Sequence, residues 1–359
     1  MTDSQHEIGL GQRIAGFVRD LFPGYFAFVM ATGIVASGLN AYGFSILAKG
    51  LYFVAAAGYL KLWILTIYRA VRFPSQLLAD FSSFGKGPGF FTIIAATAVL
   101  GVLGNRLFET AGISFALFCV GAVLWVAFMY AFATIAIVSA EKPASDRAVN
   151  GSWLVIVVST QSLSILSLAL LNRIPIFVPA GLFMIGGATY ILLISLVAAR
   201  LLLSRIEAAD LAPPYWIMMG AAAISCLAGV ELDKHSAAWD LRVSALPVLQ
   251  SFTLFFWIVA TGWIPLLIIL GVWRHGVRRV PLTYDPQLWS MVFPLGMYAF
   301  ATHSAATEFS LTFIEPIATV FLPIACLAWL WTFAGMLLSG ARLVFGKSEA
   351  AAVPEGIVA

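Results

Sequence analysis

The chain has 359 residues, of which 61% are hydrophobic and only 10% are charged. Water-soluble domains carry about 25% charged residues, so this composition excludes an ordinary soluble protein and indicates a polytopic membrane protein. The formal net charge is +3, and the basic residues are spread over many segments, which argues against a nucleic-acid partner.

Ten apolar segments follow one another along the chain, each long enough to span about 30 Å of hydrocarbon. In order they are Phe22–Ala41, Ile46–Tyr68, Phe90–Leu107, Ile113–Val138, Trp153–Leu171, Ile176–Leu201, Tyr215–Glu231, Pro247–Val272, Gln287–Ala306 and Pro316–Val344. They predict a transmembrane transport domain over residues 21–344. We expect residues 1–20 and 345–359 to be cytoplasmic tails.

Alternate segments open in the same way, with a proline or glycine followed by aromatic residues. The openings are Pro23-Gly24-Tyr25-Phe26, Pro88-Gly89-Phe90-Phe91, Gly151-Ser152-Trp153, Pro213-Pro214-Tyr215-Trp216 and Pro286-Gln287-Leu288-Trp289. Their spacing of roughly 62 to 73 residues leaves room for two spans and two short loops. The sequence therefore predicts an all-α polytopic membrane protein whose ten helices form five hairpins in a pseudo-five-fold ring around a central pore.

Basic residues are distributed unevenly between the two sides of the predicted membrane domain. About fourteen lysines and arginines lie in loops on the side of the termini, against about five on the other side. We therefore expect a multi-pass protein of the cytoplasmic membrane with both termini in the cytoplasm. The first helix of each hairpin then begins on the cytoplasmic side, where its positive dipole end favours anions.

Small residues recur on the first helix of each hairpin. With the repeats numbered by the first, position 30 holds Met30, Ala95, Val158, Gly220 and Phe293, and position 33 holds Gly33, Ala98, Gln161, Ala223 and Gly296. Small residues let membrane helices pack closely, or they keep a passage open along the axis. On the second explanation both positions line the pore. Five packed helices leave a lumen of about 2 to 3 Å radius, suited to a small ion or a slim carboxylate.

Phe293 is the one aromatic residue at position 30, and it directly precedes Pro294. A proline inside a helix removes a backbone hydrogen bond and permits a kink. We interpret Phe293 as a plug of the predicted lumen, with ordinary packing as the alternative.

Ionisable and polar residues within the spans are few, which makes each a candidate. Lys61 lies inside the second span and either takes part in transport or snorkels to the interface. Glu231 and His303 lie near the outer ends of the seventh and ninth spans, where a solvated role is the alternative to proton coupling. Gln161 either contacts a passing anion or hydrogen-bonds between helices.

Enzymatic motifs are not found in this chain. His6, His235, His275 and His303 show no metal-ligand spacing, and neither a phosphate-binding glycine loop nor a nucleophile elbow occurs. The three cysteines each fall inside a predicted span, which argues against disulfides or a zinc site. We therefore expect no enzyme activity, no cofactor and no bound metal.

Three segments carry a resemblance to a known family, and they are PGYFAFVMATGI, YWIMMGAAAI and WSMVFPLGMYAFAT. They resemble the tellurite-resistance and dicarboxylate transporter family, which includes plant slow anion channels, fungal malate permeases and sulfite exporters. The resemblance covers nearly the whole membrane region. It implies a ten-helix protomer with its own pore, a homotrimer in the lipid bilayer, and a phenylalanine that occludes the conduit, here Phe293.

These observations together predict a gated pore or permease for small anions. The expected substrates are C4-dicarboxylates such as malate, or inorganic oxyanions such as sulfite and tellurite. The alternative is a proton-coupled secondary carrier that uses Glu231, Lys61 or His303. A receptor or scaffold is disfavoured because the chain has no sizeable soluble domain.

Overall fold

The computed structural model describes residues 10–140, 142, 149–236 and 242–345, and the side chains of 242–245 are not considered. This part of the chain is helical and contains no strand. Its twelve α-helices are α1 Leu10–Arg19, α2 Ala27–Ala41, α3 Ser45–Arg72, α4 Pro74–Ser82, α5 Phe91–Phe108, α6 Ala111–Val138, α7 Val155–Leu168, α8 Phe177–Leu203, α9 Ile217–Lys234, α10 Arg242–Val272, α11 Trp289–Glu308 and α12 Glu315–Phe345. Much of the two predicted tails, residues 1–9 and 346–359, lies outside the described residues.

Nine helices of the described chain are long and apolar enough to cross a membrane. The tenth predicted span, α11, is helical but less apolar, since Pro294, Gly296 and Thr302 interrupt it. Most of α11 is buried inside the protein. A span that other helices shield from lipid can tolerate these less apolar residues.

The five odd spans form an inner ring. Helices α2, α5, α7, α9 and α11 contact one another in this order, and α11 returns to α2. In the apolar stretches of the first four, 78% to 94% of residues are buried, against 11% to 33% in the outer helices α3, α6, α8, α10 and α12. The predicted all-α fold of five hairpins around an axis is confirmed.

The five repeated openings each form a 3₁₀ turn just before an inner helix. The turns are Pro23–Phe26, Gly87–Phe90, Gly151–Leu154, Pro213–Trp216 and Pro286–Leu288. Proline at the start of a turn or helix presets the backbone angle and loses no hydrogen bond there. These turns also contact one another in a closed circle, which we call the turn ring. The inner helices therefore all begin at one level.

Gly151 lies where two members of the turn ring approach most closely. A Cβ at this position would lie 2.6 Å from the carbonyl carbon of Pro214 and 2.7 Å from Cα of Tyr215. We expect Gly151→Ala to lower the free energy of unfolding by about 1–3 kcal/mol, because backbone atoms cannot give way as a side chain can. Thermal unfolding in detergent measures this. Gly262→Ala is the matched control, since nothing lies within 4 Å of its Cβ, and equal melting temperatures would contradict the prediction.

Each outer helix is hydrogen-bonded by an aromatic side chain to the inner helix of the next hairpin. We call these five bonds the aromatic ties. They join Tyr59 to Thr97 at 2.7 Å, Trp125 to Thr160 at 2.8 Å, Tyr190 to the Met218 carbonyl at 3.2 Å, Trp257 to Thr302 at 3.0 Å and Trp329 to Thr32 at 2.9 Å. Aromatic side chains suit this role because they combine a large apolar ring with one polar atom. The last tie closes the circle.

Candidate anion conduit

A small cavity of about 30 Å³ lies on the axis of the inner ring, and we call it the axial cavity. Its lining comes from all five inner helices and comprises Ile34, Ser37, Val99, Val102, Arg106, Ser162, Ile165, Ile224, Leu227, Met297 and Phe300. In repeat numbering every one except Arg106 occupies position 34 or 37. Residues three apart share a helix face, so this face of each inner helix is turned to the axis. The volume corresponds to about one water molecule.

Position 33, which we predicted to line the pore, is not part of this lining. Its residues are Gly33, Ala98, Gln161, Ala223 and Gly296. A Cβ on Gly33 would meet the side chain of Val99, and a Cβ on Gly296 would lie 3.0 Å from Ile34. One residue turns a helix by about 100°, so position 33 faces the neighbouring helix when 34 faces the axis. Close packing accounts for the small residues at this position.

Gln161 hydrogen-bonds between helices. Its Nε2 donates to the Phe183 carbonyl at 3.2 Å and to Ser225 Oγ at 3.3 Å, while its Oε1 is buried without a partner. Of the two roles considered for Gln161, the observed one is the link from α7 to α8 and α9.

Position 30 lies one turn closer to the turn ring, and all five of its residues are buried. They are Met30, Ala95, Val158, Gly220 and Phe293. Phe293 is 2% exposed and precedes Met297 and Phe300 by four and seven residues, which puts it on the same face of α11. A Cβ on Gly220 would lie 2.7 Å from Pro294 Cγ. Gly220 thus makes room for the proline, and the benzyl group is the largest side chain at this level.

A larger, open cavity of about 360 Å³ adjoins the axial cavity at the C-terminal ends of the inner helices, and we call it the vestibule. It is lined by Ser37, Asn40, Ala41, Leu103, Arg106, Glu231, Lys234, Phe300, His303, Ser304 and Thr307. Three of these, Ser37, Arg106 and Phe300, also line the axial cavity. We call the level of these three residues the neck, because there the axial cavity meets the vestibule.

An ion pair crosses this neck. Arg106 Nη2 lies 2.9 Å from Glu231 Oε1, although their helices α5 and α9 are not neighbours and α7 separates them in the ring. Lys234 Nζ contacts the same carboxylate oxygen at 3.1 Å. The Arg106 guanidinium also lies over the Phe300 ring, 5.5 Å from its centroid. A cation, its counter-ion and an aromatic ring therefore meet where the conduit narrows.

Comparison with known proteins identifies the family. Residues 20–337 match the family model of SLAC1, the voltage-dependent anion channel. The chain belongs to this family. The match confirms the family predicted from the three sequence segments and makes the protein a membrane protein of an anion transporter and channel family.

Relatives agree with this assignment. An uncharacterized membrane protein of Mycobacterium tuberculosis is 38% identical over 148 residues, which cover 41% of this chain and 75% of the relative. Two uncharacterized transporters of Methanocaldococcus jannaschii are 23% and 24% identical over 318 and 337 residues. Both cover 84% of this chain, and the matches span 88% and 89% of the relatives.

In this member of the anion channel family, one residue of the axial cavity, Ser162, carries an unpaired hydroxyl. Ser162 Oγ is buried and has no hydrogen-bond partner in the described part of the chain, and Ser162 occupies position 34, which faces the axis. An unpaired buried hydroxyl costs free energy that a bound anion or water would offset. Ser162 is therefore a candidate hydrogen-bond donor within the axial cavity.

His303 lies in the same vestibule as Glu231. Its Nδ1 is 2.8 Å from Glu315 Oε1, and the Tyr42 hydroxyl donates to that oxygen at 2.7 Å. Burial, together with the Glu315 carboxylate, raises the pKa of Tyr42 above its ordinary value, so this hydroxyl keeps its proton. Glu315 is thus held by two partners at the rim of the vestibule.

Lys61, the third candidate for proton coupling, lies apart from the other two. It is exposed on the outer helix α3 and lines neither the axial cavity nor the vestibule.

Among the residues that the structure describes, no group of three or more His, Cys, Asp or Glu side chains is placed to hold a metal ion.

Arg106 was not among the candidates from the sequence, although it lies inside the predicted span Phe90–Leu107. Extending the repeat numbering by one more turn places both Arg106 and Glu231 at position 41, in line with positions 30, 34 and 37. That alignment was the available signal.

Proposed function

We propose that this protein is a gated pore or permease that moves small anions along the axis of the inner ring. The expected substrates are C4-dicarboxylates such as malate, or inorganic oxyanions such as sulfite and tellurite. The observation that carries the proposal is the cavity formed by positions 34 and 37 of all five inner helices, with a guanidinium at its neck.

Charge at both ends of the conduit supports an anionic substrate. Three side chains that line the vestibule are basic, Arg106, Lys234 and His303, and Glu231 is the one acid in that lining. At the opposite end all five inner helices begin at the turn ring, so their positive dipole ends point to that entrance. The inner helices end at the vestibule, where their dipoles are negative, so attraction of anions at that end depends on the basic side chains of its lining.

Phe293 is the proposed gate. It is buried between the turn ring and the axial cavity, on the face of α11 that carries Met297 and Phe300. Its neighbour Pro294 leaves one backbone carbonyl of α11 without its helical donor, which permits local bending. Rotation of one ring would then open the conduit without movement of whole helices.

The proposed setting is the cytoplasmic membrane, with both termini in the cytoplasm and residues 21–344 as the transport domain. The excess of basic loops on the side of the termini supports this orientation. The proposed homotrimer is supported by the family resemblance and by apolar side chains exposed on all five outer helices, which suit contact with lipid or other protomers. They include Ile64, Tyr130, Leu192, Ile258 and Leu327.

A flux panel in proteoliposomes tests the proposed function. We expect malate, succinate, sulfite, nitrate or chloride to cross faster than in protein-free vesicles, while potassium and a bulky organic cation do not. The reason is that the positive helix ends favour negative charge at the turn ring, while Arg106 and Lys234 outnumber Glu231 in the lining of the vestibule. Absence of protein-dependent flux for every anion tested would contradict the proposal.

A proton-coupled secondary carrier is the second candidate, favoured by the presence of Glu231 and His303 in one vestibule. Acidifying one side would then drive substrate accumulation against its own gradient, and Glu231→Gln or His303→Gln would abolish that coupling. Flux that only follows the electrochemical gradient of the anion rejects the carrier. Lys61→Gln serves as the comparison, because Lys61 lies outside both cavities.

A further inference from the structure

A third cavity, of about 480 Å³, lies beside the turn ring and away from the axis. It is bounded by the turn Pro213–Trp216, the end of α10 and the segment before α11. We call it the lateral cavity. It is unrelated to the axial cavity and the vestibule, whose linings share none of its residues.

Arg274 is the unusual member of this lining. Its Nε and Nη1 atoms are buried and have no hydrogen-bond partner among the described residues. A buried guanidinium nitrogen without an acceptor is costly, and an arginine presents its donors in a fixed fork that matches phosphate or carboxylate oxygens. Arg274, which lines the lateral cavity, therefore carries two donors that lack an acceptor in the described part of the chain.

The backbone around Arg274 is held in place. Residues Trp273–Val277 form a π-helical turn, a feature often found at functional sites. The amide of Val280 donates to the Arg274 carbonyl at 3.1 Å, and His275 Nδ1 lies 2.8 Å from the Val280 carbonyl. Arg278 lies over the Trp273 ring, 5.2 Å from its centroid. The guanidinium is thus presented from a fixed position.

Asp285 is the acidic residue of the lateral cavity, and its carboxylate is already engaged. Its Oδ1 accepts a hydrogen bond from the Gln287 amide at 2.7 Å and so caps the turn before α11. No ion pair joins Asp285 to Arg274 within the described chain, where every ion pair closer than 4.0 Å involves other residues. The described residues therefore supply no hydrogen-bond acceptor to Nε and Nη1 of Arg274.

Much of the remaining lining is apolar and includes Trp216, Leu267, Leu270, Leu288 and Met291. A soluble oxyanion needs no such surface, whereas a lipid has both a phosphate and a hydrocarbon chain. Arg274 also lies at the end of the span Leu246–Val277, where the chain leaves the apolar region. Lipid phosphates are found at this depth of a bilayer.

We propose that the lateral cavity is a binding site for an anionic glycerophospholipid, whose phosphate accepts hydrogen bonds from Arg274 and whose acyl chain covers the apolar lining. An anionic headgroup is favoured over choline because it brings no second cation next to the Arg274 guanidinium. The site adjoins two members of the turn ring and includes Met291, two residues before Phe293. A lipid bound there would contact the helix that carries the proposed gate.

Native mass spectrometry of the purified full-length protein tests this, with dioleoylphosphatidylglycerol as the probe. We expect Arg274→Gln to weaken binding of this lipid by about tenfold or more, since hydrogen bonds to a charged group are lost. Arg278→Gln is the matched control and is expected to change binding less than about twofold, because Arg278 is stacked on Trp273 outside the cavity.

Two further probes identify the ligand class. Dioleoylphosphatidylcholine should bind more weakly than the anionic lipid, and glycerol phosphate without acyl chains should not compete with it. Equal binding of the choline lipid, or full competition by glycerol phosphate, would overturn the lipid assignment, as would equal binding to wild type and Arg274→Gln. If Arg274→Gln does not purify as a monodisperse protein, Arg274→Lys is used, which keeps the charge but loses the fork and should also weaken binding.

Discussion

Replacing Phe293 with alanine is expected to raise anion flux through the protein by about tenfold or more, equivalent to lowering the barrier by about 1.4 kcal/mol. The benzyl group is the largest side chain at position 30, where the other four inner helices contribute Met30, Ala95, Val158 and Gly220. In Phe293→Ala, the largest side chain left at position 30 of the inner ring is therefore Met30. Flux of malate and chloride in proteoliposomes measures the effect.

The alternative for Phe293 is ordinary packing, and stability separates the two roles. Truncating a packed core phenylalanine costs about 3–5 kcal/mol of unfolding free energy. Phe256→Ala on α10 is the matched control, because Phe256 is also fully buried but lies on an outer helix. We expect Phe256→Ala to lower the melting temperature without raising flux. An intact Phe293→Ala protein with wild-type flux would refute the gate.

The ion pair across the neck gives the second large effect, with opposite signs for its two members. Glu231→Gln frees the Arg106 guanidinium to bind a passing anion, and we expect flux at low substrate concentration to rise several-fold. Arg106→Gln leaves the Glu231 carboxylate facing the conduit, and we expect flux to fall by about tenfold or more. Two unit charges about 4 Å apart interact by about 4 kcal/mol at an effective dielectric constant of 20, so the repulsion is ample.

Lys234, the other cation that contacts Glu231, provides a comparison for Arg106. Lys234→Gln removes a cation that contacts the same Glu231 oxygen at 3.1 Å, but Lys234 lines the vestibule and not the axial cavity. We expect it to change flux less than Arg106→Gln. If Glu231→Gln and Arg106→Gln both lowered flux equally, the pair would be a structural strut between α5 and α9, and its proposed role in anion selection would be wrong.

The architecture could be predicted from the sequence because the same opening motif occurs before each of the five inner helices. The openings at Pro23, Pro88, Gly151, Pro213 and Pro286 mark the starts of the inner helices, and hydropathy marks their partners. Even α11, the least apolar span, was placed correctly, because the opening before it identified the hairpin when composition alone did not.

The rotation of the inner helices was beyond the sequence. Position 33 holds mostly small residues and position 34 mostly apolar ones, and residues of either kind can face the axis. The two arrangements differ by a rotation of about 100° of each inner helix. Contacts decided it, since Val99 fills the space beside Gly33. The partner of Glu231 was missed for a related reason. Arg106 is 125 residues away from Glu231 in the chain, and the two side chains meet only because α5 and α9 belong to the same inner ring.

The aromatic ties have a consequence for how the protein is made. The fifth tie joins Trp329, on the last helix, to Thr32, on the first inner helix. In a chain that ended after the fourth hairpin, α2 and α9 would lack α11 between them, and Thr32 Oγ1 would keep only its bond to the Phe28 carbonyl. The inner ring, and with it the proposed permeation path, would be complete only after the fifth hairpin had packed against the first.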